Sequence, residues 1–100
     1  MSYRLRYLSK TVEDREVIRT YLSQFYTGTE KRFFALLRKK TALLKEFPLS
    51  CPIYEDNSKY RKLVVGDYLV FYAVDESKKL VEVHRIIHGL QNIRERIELD

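Results

Sequence analysis

Tyr60-Arg-Lys-Leu-Val-Val-Gly-Asp-Tyr-Leu-Val-Phe-Tyr-Ala-Val-Asp75 is the stretch whose reading decides the fold. Two β-branched and aromatic runs flank Gly66-Asp67, and glycine in the first position of a two-residue loop is the signature of a type II′ β-hairpin. The strands are therefore predicted as Tyr60 to Val65 and Tyr68 to Val74. The turn also fixes the register. With Val65 facing Tyr68, Arg61 lies opposite Tyr72 and Leu63 opposite Val70 on one face, with Lys62, Phe71 and Ala73 on the other. Tyr68 to Val74 is apolar on both parities, as expected of a central strand covered on both sides.

Asp75-Glu76-Ser77-Lys78-Lys79 reads as a polar turn into a further strand, Leu80 to His88, which Gly89 ends before a short helical tail around Asn92 to Ile97. Upstream, residues 48 to 59 hold both prolines, Asn57 and Ser58 and read as an irregular connection. Before it the period is helical. Phe33, Leu36, Leu37, Leu44 and Phe47 form one apolar stripe that Pro48 stops, and Ile18, Tyr21, Leu22 and Phe25 form another. Thr11 with Glu13 and Asp14 predicts the start of the first helix; Thr27-Gly28-Thr29-Glu30 separates the two, either threonine being able to cap the second. Tyr3, Leu5 and Tyr7 alternate with Arg4 and Arg6, the period of a half-buried strand. The predicted class is α+β in the order β-α-α-β-β-β, a helical hairpin packed on a curved antiparallel sheet, as one domain over residues 1–100.

One hundred residues give room for a single core, and 45% hydrophobic with 33% charged residues disfavours disorder. The net charge is +5. It is uneven: the first fifty residues carry eleven basic and five acidic side chains, the last fifty eight and nine. Such a balance suits an acidic partner, either nucleic acid or polypeptide. A lone cysteine, Cys51, makes no intrachain disulfide and points to a reducing compartment, with the cytoplasm as the expected location. The N-terminus shows no signal-peptide pattern, and the most apolar run, Leu63 to Val74, is too short to cross a bilayer, so no membrane role is expected.

Phosphate loops, metalloprotease helices, paired-cysteine motifs and hydrolase elbows are absent, so no cofactor and no metal are expected. His84 and His88, four apart on a strand with Glu82, share a face by alternation but stand about 13 Å apart, too far for one ion. Three groups remain. Lys31, Arg38 and Lys45 at heptad spacing, with Arg32 and Lys39, form a solvated face or a phosphate-contacting row. Arg61, Lys62, Arg85 and His88 come from neighbouring strands and have the chemistry to hold a phosphodiester and move a proton. Strict alternation, however, turns Arg61 and Lys62 to opposite faces, and Arg85 and His88 likewise. The stems of Arg61 and Arg85 could equally cover apolar sheet. The tyrosines of the hairpin, Tyr60, Tyr68 and Tyr72, are read as core with a hydroxyl at the rim, with base stacking as the alternative.

The hairpin, followed by Val81-Glu-Val-His-Arg-Ile-Ile-His-Gly89, resembles the C-terminal half of RelE/ParE-family toxins of bacterial type II toxin–antitoxin modules. Asp14, Ile18 and Tyr21 agree with the family's first helix, although Arg15 stands where leucine is usual. The resemblance implies a growth-inhibiting toxin of the kind that stabilises plasmids, neutralised by a cognate antitoxin with an acidic segment. Its target would be the ribosome and its mRNA in RelE-like members, which are mRNA interferases, or DNA gyrase in ParE-like ones. Leu69 stands where RelE-like members commonly have arginine, and no tyrosine follows the last strand, which leaves Arg61, Arg85 and His88 as the catalytic candidates such an enzyme would have. The ending Arg85-Ile-Ile-His-Gly-Leu-Gln-Asn-Ile-Arg94 is more similar to ParE-like tails, although Gln91-Asn92 replace the usual Arg-Asp. The lean is thus to a ParE-like gyrase inhibitor, with target contacts expected from Arg61, Lys62, Arg85, His88 and Arg94. The alternatives are a RelE-like ribosome-dependent mRNA endonuclease and a non-toxic nucleic-acid-binding module on the same scaffold.

Overall fold

The computed structural model describes residues 2–89. It places β1 (Arg4–Tyr7), α1 (Lys10–Leu22), α2 (Thr29–Leu43), β2 (Arg61–Val65), β3 (Tyr68–Asp75) and β4 (Leu80–His88) along the chain. The expected helical tail at Asn92 to Ile97 lies outside the described residues. The strands form a single sheet in the order β1-β4-β3-β2.

The hairpin obeys its turn. Gly66 has φ +58° while Asp67 has no positive φ, the combination a type II′ loop demands. Its register pairs Val65 with Tyr68, Leu63 with Val70 and Arg61 with Tyr72. β4 pairs antiparallel with β3, but β1 pairs parallel with β4, Arg4 opposite Leu80 and Tyr7 opposite Val83. The sheet is therefore mixed rather than wholly antiparallel. Residue alternation sets which face of β1 is buried and says nothing of its direction; the two helices return the chain so that β1 enters beside β4 in parallel.

Both helices lie on one face of the sheet and close the main core. Ile18 from α1 and Leu37 from α2, with Leu44 just beyond it, pack against Val65, Val70, Tyr72, Val81, Val83 and Ile86. The helix boundaries differ from the sequence expectation. Thr11 is not the cap: it sits buried inside the first turn and its hydroxyl donates to the Leu8 carbonyl at 2.6 Å, where the chain leaves the sheet. Neither threonine caps α2. Gly28, at φ +92°, occupies that position, and Thr29 donates back to the Tyr26 carbonyl. α1 stops at Leu22, so Phe25 lies beyond it and is exposed, as is Tyr21 within the helix, and α2 stops at Leu43, which leaves Phe47 in solvent while Leu44 is buried.

The opposite face carries a smaller cluster of Tyr54, Tyr60 and Phe71, with Leu69 and Ala73 beside it. Tyr54 meets Phe71 edge to face at 5.1 Å. The 48–59 connection supplies that cover, so β3 is buried from both sides as its composition requires. Tyr60 is buried in this back-face cluster and Tyr68 and Tyr72 in the main core, which fits the core reading of the three tyrosines and not base stacking.

Candidate functional site

β1 pairs with only the first half of β4. At Leu8, whose N–H donates to the Val83 carbonyl at 2.9 Å, the chain turns away into α1, and the rest of β4 faces a helix instead of a strand. Between the two lies a groove of about 540 Å³, walled by Val17, Ile18 and Tyr21 and floored by Tyr68, Ile86 and Ile87. Lys10, Glu13, Asp14, Arg85 and His88 complete its lining.

The register of β4 explains how His88 comes to this groove. Tyr72 is opposite Val83 but Phe71 is opposite Arg85, so His84 is an extra residue in the strand, a β-bulge. One inserted residue reverses the faces of everything after it. Val81 and Val83 point to the helices, and after the bulge so does Ile86. The expectation that His84 and His88 share a face is therefore corrected: His84 stacks on Tyr60 of the back-face cluster at 4.8 Å, whereas His88 stacks on Tyr68 at 5.1 Å. Arg85 and His88, both beyond the bulge and three apart, keep the opposite parity expected of them, Arg85 opposite Phe71 of the back-face cluster and His88 opposite Tyr68; both line the groove because the Arg85 side chain reaches Asp14 on α1.

Asp14 organises the groove. Its carboxylate accepts from Arg85 Nε at 2.8 Å and Nη2 at 2.9 Å, a two-pronged contact, and from the Ile86 backbone N–H at 2.9 Å. The side chains of both partners are almost buried, at 12% and 11% exposure. A helix side chain thus satisfies an edge group of β4 that β1 no longer reaches. Tyr68, on the floor, has its hydroxyl pKa raised by burial first and by neighbouring Tyr21 and Asp67 second.

Arg61 has other business. On the helix side of β2, its Nη1 donates to the carbonyls of Cys51 at 2.6 Å and Leu49 at 3.3 Å, pinning the connection to the sheet. Beside it the buried Tyr72 hydroxyl donates to the Pro48 carbonyl at 2.9 Å, and burial pushes its pKa far up. Lys62 points to the back face, with Nζ 5.6 Å from the Tyr54 ring centroid and 4.0 Å from the Glu55 carboxylate. Arg61 and Arg85 belong to strands separated by β3, about 10 Å apart at the backbone. The structure brings Arg85 and His88 together, holds Arg61 and Lys62 apart from them, and Arg94 lies outside the described residues. Leu69 packs beside the back-face cluster. Lys31, Arg32, Arg38, Lys39 and Lys45 are all solvent-exposed.

Sequence reasoning gave Asp14 a place near a helix start and a match to the family's first helix, but no partner. Among the described residues, no group of three or more His, Cys, Asp or Glu side chains could hold a metal ion, and no helix is long and apolar enough to cross a membrane. The groove combines apolar side chains from α1 and β4 with the charged groups of Lys10, Glu13, Asp14 and Arg85.

Comparisons with known proteins agree with this architecture. Residues 5–93 match the family model described as the ParE toxin of the parDE type II toxin–antitoxin system. No curated protein matches. Among solved structures, the toxin–antitoxin complex RelBE2 from Mycobacterium tuberculosis contains a chain similar to this one at 18% identity and TM-score 0.66, covering 88% of this chain and 99% of that one. A doubly substituted toxin RelE from E. coli in the free state is similar at 14% identity and TM-score 0.63, over 97% of this chain and 100% of that one. The archaeal RelE–RelB complex from Pyrococcus horikoshii gives 17% identity and TM-score 0.54, over 91% and 99%. At these identities the solved structures speak for the fold, and the family model, spanning nearly the whole chain, speaks for descent: this protein belongs to the ParE toxin family of type II toxin–antitoxin systems, within the wider RelE/ParE group.

Proposed function

We propose that this toxin inhibits DNA gyrase by binding, in the manner expected of a ParE-like protein, and does not cut mRNA. The observation that carries the reading is the engagement of both sheet arginines. Arg85 is committed to the Asp14 carboxylate and Arg61 to the Leu49 and Cys51 carbonyls. A phosphodiester-cleaving centre needs cationic donors aimed at the reacting phosphate, and loss of one such donor costs about 3 kcal/mol of transition-state stabilisation. With Leu69 where a further cation would serve, the sheet is short of that chemistry. Arg85 and Arg61 then act as residues that hold the groove and the connection in shape. His88 and the groove's apolar wall are the target contacts on this reading, with Lys62 and Arg94 as outlying ones.

A cognate antitoxin is the expected partner, supported by the family match and by the toxin–antitoxin complexes among the similar folds. Its toxin-binding segment is expected to be acidic, complementary to a chain of net charge +5, and the pair would act in the cytoplasm.

Induction in a bacterial host, followed by a supercoiling assay with purified gyrase, tests the target. The expected result is filamentation and DNA damage while protein synthesis continues, with supercoiling inhibited in vitro. Early arrest of translation with cleaved transcripts would overturn the reading in favour of the ribosome, and unimpaired growth without any antitoxin would favour a non-toxic module.

A further inference from the structure

The groove between α1 and β4 is inverted with respect to water. Asp14, Val17, Ile18 and Tyr21 stand at i, i+3, i+4 and i+7 on α1, and all four line it. Val17 and Tyr21 are 67% and 48% exposed, whereas the carboxylate among them is only 11% exposed. Ordinary packing puts the charge outside and the apolar groups within. Here the charge is sealed and two apolar side chains of the same stripe stay open.

What seals the carboxylate is built on β4. Arg85 Nε and Nη2 and the Ile86 N–H converge on it at 2.8 to 2.9 Å. The Ile86 N–H lies beyond the last residue of β4 that β1 pairs, Val83, and Arg85 comes round the same edge from a position opposite Phe71 of the back-face cluster. The backbone donor and the root of the arginine are thus fixed by β3–β4 pairing, without help from α1. A guanidinium fork with a backbone N–H is a carboxylate receptor, whether or not the carboxylate is tethered. Lys10, one turn before Asp14, adds a cation to the same lining, against one further acid, Glu13. A nucleic-acid phosphate would match the fork but bring sugar and further charge against Val17 and Tyr21.

We propose that Arg85 and the Ile86 N–H form a carboxylate-binding site that Asp14 fills in cis, and that the groove accepts a small aliphatic monocarboxylate whose head takes Asp14's place while its tail covers Val17 and Tyr21. A groove of about 540 Å³ is within the range of small-molecule sites. Asp14 is then a latch: its tether gives it a high effective concentration at the fork, so an outside carboxylate competes weakly until the latch is removed. The site lies in the groove that the gyrase reading uses but does not rest on that reading.

The test uses the full chain and sodium octanoate, with octanol as the neutral counterpart and sodium chloride at matched ionic strength, followed by the NMR shifts of the Ile86 N–H and the Arg85 Nε–H. Octanoate should bind the unaltered chain weakly and Asp14→Ala about tenfold or more tightly, moving both signals, while octanol gains nothing from the substitution. Acetate, a head without a tail, should raise the melting temperature of Asp14→Ala and leave that of the unaltered chain unchanged. Asp14→Ala with Arg85→Ala should show neither effect. Asp14→Asn removes the charge but keeps an acceptor for Ile86, so it carries the octanoate comparison even where the alanine variant fails to fold, and it too should bind more tightly than the unaltered chain. Equal octanoate affinity with and without the Asp14 carboxylate, an equal gain for octanol, or binding that survives the loss of Arg85 would each overturn the proposal. The growth and gyrase assays are read independently, so failure of one conclusion leaves the other standing.

Discussion

Asp14 receives three hydrogen bonds from β4, two of them from Arg85, which makes this ion pair a structural link between α1 and β4. Breaking a nearly buried ion pair by removing one partner costs about 3 kcal/mol, because the other charge is left without compensation. Arg85→Ala is therefore expected to lower the unfolding free energy in urea by about that amount, and the double variant with Asp14→Ala should lose less than the sum of the two single ones. Strict additivity would show that the two groups do not act as a pair. His84 is the second residue with a stability consequence. Burial lowers its pKa below the ordinary value of 6.5, with Lys59 acting in the same direction and Glu82 opposing. The unfolded chain then takes up the proton first, so this contribution is complete above about pH 7 and is lost as pH falls through 6.5. Urea midpoints should drop between pH 7.5 and pH 5.5, and His84→Gln should drop less; an unchanged slope in the variant would remove His84 from the account.

At the scale of elements, the hairpin depends on one backbone conformation. Gly66 sits at φ +58° with open space where a Cβ would stand, so a side chain there costs backbone strain and no collision. Gly66→Ala should destabilise by about 1 kcal/mol and Gly66→Asn by less, since asparagine tolerates the left-handed region better. Thermal unfolding of the two variants gives the comparison, and equal losses would point to a cause other than φ. The bulge in β4 is the other decisive local feature. It re-aims the strand after Val83 and thereby brings His88 to the groove beside Arg85.

At the scale of the molecule, the two ends of the described chain meet: β1 closes the sheet by pairing with β4, about seventy-six residues away, as in Arg4 with Leu80. Tyr3, Leu5 and Tyr7 pack against the main core from that edge, and the Tyr7 hydroxyl is 2.7 Å from Thr41 Oγ1 on α2. Removing residues 1–7 would expose Val81 and Val83 and leave one sheet edge bare. Such a chain is expected to lose cooperative unfolding and bind a hydrophobic dye, read by urea titration and dye fluorescence; a sharp transition with native-like m-value would show that β1 is dispensable.

Local chemistry by itself determined the element order, the Gly66-Asp67 turn and the β2–β3 register, because each rests on contacts a few residues apart that glycine, β-branched residues and side-chain alternation specify directly. The span of β4 and the burial of the hairpin tyrosines came from the same source. Tertiary structure alone decided the parallel entry of β1, the bulge at His84, and the partnership of Asp14 with Arg85 across seventy-one residues. Alternation carries no information on strand direction, a one-residue bulge reverses faces without any mark in composition, and an ion pair between α1 and β4 exists only once both are packed on one core. That is why the fold was legible in the residues while the roles of Arg61, Arg85 and His88 were not.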